Sequence, residues 1–239
     1  MPRFFLDSIT GEQVIITGAD GAHIARSLRM GPGEALTLCD GRGTDYACVI
    51  AAVDGDQVTL RSLDASPSQG EPTLEVTLYQ GLPKADKLEW IIQKAVELGA
   101  VRIVPVEMRR SIVRADERAA KKRDRWQKIA DEAAGQCGRG ILPVVEPPIK
   151  WKEALARLET ERVLTFYEGG GRPLRELVSP ADRRISIVVG PEGGLAPEDV
   201  DEMTAQGAQL ATLGPRILRC ETAPVAALAV LMALSGNLG

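Results

Sequence analysis

Histidine and aromatic residues are scarce in this 239-residue chain, which holds one His and three each of Phe, Tyr and Trp. A lone His cannot build a His-based metal set, and a nucleophilic Cys has no evident His partner. His23 therefore reads as structural or RNA-facing, and no metal site is expected. Cysteine is scarce too. Cys39, Cys48, Cys137 and Cys220 lie far apart with no C-x-x-C spacing, which excludes a disulfide scaffold and fits a reducing compartment. Long apolar runs are missing: the longest covers residues 223–234, whereas a membrane span needs about 20 residues. At the N-terminus Asp7 interrupts any signal-like apolar stretch, so the expected location is cytoplasmic, with no membrane. Neither G-x-G-x-x-G nor Gly-Lys-Ser/Thr occurs, which removes the dinucleotide and phosphate-loop fingerprints.

What remains is an ordinary globular composition, 44% hydrophobic and 26% charged, with a formal net charge of -4. The charge is uneven. Residues 1–74 hold 5 Lys/Arg against 10 Asp/Glu, while residues 102–128 hold 10 basic and 4 acidic residues, a local net of +6. A basic stripe on an acidic chain fits a partner of defined shape such as structured RNA. Its plain alternative is a solvated helix face.

Composition changes near residue 70. Residues 64–72, Asp-Ala-Ser-Pro-Ser-Gln-Gly-Glu-Pro, read as a linker and divide the chain into domains 1–70 and 73–239. Before it, alternating segments at 13–17, 35–39, 46–52 and 57–63 are separated by Asp-Gly turns, which predicts a small antiparallel barrel or sandwich. A helix is expected over 22–29. After the linker, strands are expected at 75–80, 101–106, 163–166, 185–189 and 209–213, and helices at 87–98, 119–135 and 197–206 and from Thr222 onward. Asp86 and Glu89 suggest a capping box, and Gly99 a stop. Alternating apolar strands and helices make this part a parallel α/β sheet covered on both faces.

Three strand-to-helix junctions carry residues that packing does not demand. Gly190-Pro191-Glu192-Gly193-Gly194 follows a buried strand and would bare backbone amides to a ligand. Leu213 to Ala223 precedes the apolar C-terminal helix and contains Arg216, Arg219 and Glu221, with Thr222 placed as an N-cap. Two such loops from neighbouring strand ends could enclose a small flat ligand, with Leu213, Ile217, Leu218 and Ala223 as its apolar wall. In the third, Lys84 and Lys87 stand at a helix start, against the dipole. A passing phosphate backbone would explain them, as would an ordinary surface.

In combination these motifs are specific. Gly81-Leu82-Pro83-Lys84-x-Asp86-Lys87, Gln93-Lys94-Ala95-x-Glu97-Leu98-Gly99, the Gly190 to Gly194 loop, and Leu213-Gly214-x-Arg216-Ile217-Leu218-Arg219-x-Glu221-Thr222-Ala223 resemble the ribosomal RNA small subunit methyltransferase E family, of the SPOUT class. Arg3-Phe4-Phe5, residues 23–29 and Asp40-Gly41-x-Gly43-x-x-Tyr46 are similar too, so nearly the whole chain is covered. Departures are Ser27, where an aliphatic residue is usual, and Cys137 in a Gln-Ser-x-Arg-like stretch.

The resemblance implies an α/β fold: a C-terminal parallel-sheet domain with a SPOUT-type trefoil knot, plus a small N-terminal PUA-like β-barrel. It implies a homodimer that uses S-adenosylmethionine to methylate N3 of one uridine in 16S rRNA within the small ribosomal subunit. The cofactor residues it implies are Leu164, Thr165, Gly190, Pro191, Glu192, Gly193, Gly194, Leu213, Gly214, Ile217, Leu218, Thr222 and Ala223. For the chemistry, Arg219 is expected to stabilise charge on the uracil oxygens, with Glu192 or Glu221 as proton acceptor. RNA contacts are expected at Arg3, His23, Arg26, Arg29, Lys84, Lys87, Arg109 and Arg110, with Arg114, Lys121 and Lys122 continuing the stripe. Competing readings are a non-catalytic RNA-binding assembly factor and a SPOUT methyltransferase acting on another nucleotide.

Overall fold

The computed structural model describes residues 1–9 and 11–239, which form two compact units: residues 1–71 with Ala134–Leu142, and residues 72–133 with 143–239. The linear division at 70–73 therefore leaves one segment out. Ala134–Leu142 belongs with the N-terminal unit, where Glu71 accepts hydrogen bonds from Arg139 Nη2 (2.8 Å), Gly140 N (2.8 Å) and Ile141 N (3.0 Å).

The first unit contains β1 (Arg3–Phe5), β2 (Gln13–Ile16), α1 (Gly18–Ala22), β3 (Ala35–Cys39), β4 (Thr44–Asp54) and β5 (Gln57–Pro67), in sheet order β1-β3-β4-β5-β2. All pairs are antiparallel except β1 with β3. Register shifts at Ala47/Cys48 and Ile50/Ala52 bend the long β4–β5 pair, so the sheet curls around Ile24, Leu36, Leu38, Ile50, Val58 and Leu60. Among the described residues β1 and β2 do not pair with each other, so the expected barrel is an open, curled sheet. Two expectations need correction here. Residues 64–67 extend β5 instead of starting a linker, because they pair with residues 44–47 of β4. The helix expected at 22–29 is α1 followed by one π-helical segment, His23–Ser27.

The second unit runs β6 (Glu75–Gly81), α2 (Lys87–Glu97), β7 (Ala100–Glu107), α3 (Glu117–Ala120), α4 (Arg123–Cys137), β8 (Val144–Val145), β9 (Ile149–Lys150), α5 (Trp151–Leu158), β10 (Val163–Phe166), β11 (Arg172–Pro173), β12 (Arg184–Val189), α6 (Pro197–Ala205), β13 (Gln209–Thr212) and α7 (Thr222–Leu234). The last turn of α4 belongs to the first unit. The eight strands in order β11-β13-β10-β12-β6-β7-β8, with β9 also on β7, are all parallel. Their side chains alternate between two covered faces. Tyr79, Val104 and Val188 meet Trp151, Leu158, Val200 and Met203 on one side. The alternate residues Leu78, Ile103 and Ile187 are equally buried on the other, the side of α2 and α7.

Sequence expectation missed α5 and the two-residue strands β8, β9 and β11, which are too short to show a period. It also misread two caps. Asp86 makes no side-chain cap bond, and Glu89 instead pairs with Arg125 at 2.7 Å. At α7 the cap position is Glu221, and Thr222 is the first helical residue. No helix among the described residues is long and apolar enough to cross a membrane.

Candidate active site

A cavity of about 430 Å³ opens at the carboxyl ends of β10, β12 and β13, which are neighbours in the sheet. Each strand ends there and its chain becomes a loop, so backbone rather than side chain forms much of the wall. Phe166, Tyr167 and Glu168 come from β10, Val189 to Gly194 from β12, and Ala211 to Glu221 from β13, with Ala223 and Lys87 completing the wall.

The glycine loop leaves no room for side chains. A Cβ on Gly190 would stand 2.8 Å from the Gly194 carbonyl carbon, and one on Gly81, at the end of β6, 2.5 Å from the Pro191 nitrogen. Both meet backbone, which cannot swing aside. The Gly194 amide closes a turn onto Pro191 O at 2.9 Å. Beyond β13, Gly214 takes φ +102, and the Thr222 and Ala223 amides both donate to Arg219 O at 2.9 Å. That turn holds the Arg219 backbone at the start of α7.

Lys87 joins the loops. Its ammonium lies 3.2 Å from Glu192 and 3.2 Å from Glu221, and the Lys84 amide also donates to Glu192 at 3.0 Å. Bonds to Glu221 and then Glu192 raise the Lys87 pKa. Burial pushes Glu192 upward, yet the Lys84 amide, its own amide and Lys87 outweigh it and leave it below the usual carboxylate value. Glu221 is lowered by the Cys220 thiol, its own amide and Lys87. Cys220 itself is pushed up to about 12 by burial and by Glu221 and Glu192, so it is a protonated thiol and no nucleophile.

Several expected site residues take other places. Leu164 and Thr165 are fully buried inside β10, and Thr165 Oγ1 contacts Met203 Sδ at 3.4 Å. From β10 the cavity wall is formed by the next residues, Phe166 to Glu168. Thr222 is likewise off the wall. The other expected cofactor residues line the cavity, as do Glu192, Glu221 and Arg219. Arg219 is exposed and makes no ion pair among the described residues. Missed by sequence reasoning were Tyr167 and Glu168, although the Gly169-Gly170-Gly171 run after them carries the same bare-backbone signal as Gly193-Gly194.

Most of the expected RNA contacts are engaged within the protein. The Arg3 side chain forks onto Asp45 with two bonds of 2.6 Å and reaches Arg139 O at 3.2 Å. Arg26 is held by Asp56 at 2.7 Å. Lys87 belongs to the cavity. Arg109 binds Asp199 and Glu202, which raises its pKa through Glu202 first and Asp199 second. Arg110 donates to Gly193 O at 3.0 Å and so braces the glycine loop. Along the rest of the stripe, Arg102 pairs with Glu146, Arg114 with Glu107, Arg125 with Glu89 and Lys128 with Glu132. The local excess of +6 is thus largely answered by acids from other segments. Arg118, Lys121 and Lys122 remain exposed without an ion pair among the described residues, as do Lys84 and, in the first unit, Arg29. His23 is exposed at the first unit's surface with its ring edge-on to Phe4 at 6.0 Å. No cluster of three or more His, Cys, Asp or Glu among the described residues is placed to hold a metal.

Comparison with known proteins agrees with this geometry. The family model described as RNA methyltransferase domain matches residues 70–232, and the RNA methyltransferase PUA domain matches residues 16–61. The chain is 37% identical to a Bacillus subtilis ribosomal RNA small subunit methyltransferase E, over 97% of this chain and 96% of that protein. A crystal structure of the Neisseria gonorrhoeae protein of the same name, bound to S-adenosylmethionine, superposes with a TM-score of 0.89 at 34% identity, covering 98% of each chain. A Legionella pneumophila methyltransferase with bound S-adenosylmethionine superposes at 0.85 with 31% identity, covering 97% of this chain and 96% of that one.

Proposed function

Because the chain belongs to the ribosomal RNA small subunit methyltransferase E family, we propose that it methylates N3 of one uridine in 16S rRNA, using S-adenosylmethionine held at the ends of β10, β12 and β13. The observation that carries the reading is the cavity of about 430 Å³ at the ends of three neighbouring strands, lined by the Gly190 to Gly194 loop. A flat ring can lie against such a wall. Bound there, S-adenosylmethionine supplies an electrophilic methyl group. The chain's own task is to present the acceptor: N3 gains the methyl, the sulfonium becomes a neutral thioether, and the N3 proton passes to solvent at the open cavity as charge spreads to O2 and O4. Arg219, exposed at the cavity and unpaired among the described residues, is the cation for those oxygens, a role worth about 3 kcal/mol per donor.

Glu192 and Glu221 suit a different task from proton acceptor. Both share Lys87 and both are lowered, so they stay ionised and are weak bases. They fit better as fixed negative charge beside a cationic cofactor. N3 is occupied in a base pair, so the target nucleotide must be unpaired or flipped. The same reading carries a trefoil-knotted sheet domain and a cytoplasmic homodimer acting on the small ribosomal subunit. The PUA domain would grip RNA through exposed groups such as His23 and Arg29. Calorimetry with S-adenosylmethionine tests the cofactor site, since an assembly factor without catalysis would give no heat of binding. Methyl transfer to small-subunit RNA, followed by mapping of the modified base, tests the rest. A methyl on another nucleotide would replace the N3 assignment and leave the enzyme class standing.

A further inference from the structure

We propose that residues 215–219, the outer lip of the cavity, are where the target strand lands, with Ile217 covering one face of the unstacked uracil and Arg216 taking a neighbouring phosphate. The proposal rests on the methyltransferase reading and supplies the RNA side of the same site.

Ile217, which the resemblance places against the cofactor, is instead so exposed that it carries the proposal. Among the large apolar residues of the cavity, Phe166 and Val189 are buried and Leu213 and Leu218 half-buried, whereas Ile217 is 83% exposed. A residue inside a concavity is sheltered by its neighbours. Ile217 stands proud of them, so it presents its surface outward, on a loop that Gly214 at φ +102 turns away from β13.

The charges of the lining differ in their partners. Glu192 and Glu221 share the single cation Lys87, and Glu168 faces Arg110 at 4.0 Å, a net negative set that suits a ligand bearing a sulfonium and an ammonium. Arg216 and Arg219 are exposed beside Ile217 and make no ion pair among the described residues. Guanidinium groups gain nothing from a cationic ligand but bind phosphate through two hydrogen bonds. An aliphatic surface between two free guanidiniums matches a nucleotide taken out of its stack, which offers an apolar base face and an anionic backbone. Arg219 keeps its place beside the base oxygens, and Arg216 is left for the strand.

The test uses the full-length protein and small ribosomal subunits carrying unmethylated RNA. Ile217→Ala should leave the melting temperature unchanged and the Kd for S-adenosylmethionine within about twofold. Its kcat/KM for methyl transfer should fall about tenfold, because a buried aliphatic contact is lost. Ile217→Val should recover most of the activity. Arg216→Gln should weaken subunit binding measured without cofactor and lower the slope of log affinity against log salt by about 0.7, whereas Arg216→Lys should keep the slope. Cofactor affinity falling in step with transfer in Ile217→Ala would overturn the proposal, since Ile217 would then be cofactor wall. Unchanged kcat/KM in that variant, or an unchanged salt slope in Arg216→Gln, would overturn it too. A wild-type protein that transfers no methyl to the subunit would remove both this proposal and the function on which it rests.

Discussion

A lysine in the first turn of a helix opposes the helix dipole, and Lys87 holds that position because two carboxylates from two other loops meet its ammonium. Because Glu192 and Glu221 are lowered on folding, the unfolded chain binds protons at a pH where the folded chain does not. Their stabilisation is complete above their ordinary value of 4.5 and is lost as pH falls through the folded values. Cofactor affinity should therefore be flat from about pH 8 down to the ordinary carboxylate range. In Lys87→Met the two acids lose their shared cation, so their pKa values rise and the acid edge of cofactor binding moves to higher pH. A calorimetric pH series checks this, and an unmoved edge would show that Lys87 is only a spacer. At Arg109 the expected effect is structural. Asp199 is fully buried, and Arg109→Met should cost about 2 kcal/mol after discounting the part-exposed guanidinium. The salt dependence of RNA binding should not change. Urea unfolding and a salt titration separate the two roles.

At the scale of elements, the glycine loop and the strand beneath it form one packed layer. Gly81→Ala and Gly190→Ala each place a Cβ within 3 Å of backbone, so both should lower the melting temperature and abolish cofactor binding together. Gly193→Ala is a milder change. Its Cβ would stand 3.0 Å from Arg110 Cβ and 3.3 Å from Arg110 O, contacts that a shift of a few tenths of an ångström relieves. Affinity should fall while the melting temperature holds, and thermal shift with and without S-adenosylmethionine distinguishes the cases. Elements with a period were legible in the sequence: α2 from Leu88, Ile91, Ile92 and Ala95 with its Gly99 stop, and β6, β10 and β12 from continuous apolar runs. What escaped was set by distance along the chain. The acids that answer Arg109 and Lys87, Asp199, Glu202, Glu192 and Glu221, lie roughly 90 to 134 residues later, and no local count of charge can pair them. Arg102, Arg109 and Arg125 of the basic stripe looked free because their partners Glu146, Asp199, Glu202 and Glu89 lie in other segments. Likewise the motif placed Leu164 and Thr165 near the ligand, but a parallel strand offers its last residues, Phe166 onward, to whatever sits beyond its end.

On the scale of the whole molecule, the chain passes between its two units three times, at residues 71–72, 133–134 and 142–143. Glu71 anchors the returning segment, and Arg139 beside it is only 2% exposed. Glu71→Ala should release the Gly140 and Ile141 amides, which it accepts, and cost about 3 kcal/mol through the broken ion pair. Hydrogen exchange at residues 139–142 should accelerate while α2 and β12 keep their protection. Equal protection throughout would place the anchor elsewhere. The returning segment also imposes a schedule on synthesis. The N-terminal sheet is spelled out by residue 67, yet Gly140, whose carbonyl accepts from the Cys39 thiol at 3.1 Å and from the Gly43 amide at 3.0 Å, leaves the ribosome only after another seventy or so residues. At about 5–20 residues per second the nascent sheet waits roughly 4–14 s for it. During that interval β1, β3 and the Asp40 turn stand without their last strip of chain. A newborn N-terminal unit is thus finished from within its successor, and a message truncated before codon 142 would yield a sheet with one side left open to the chaperones that meet it.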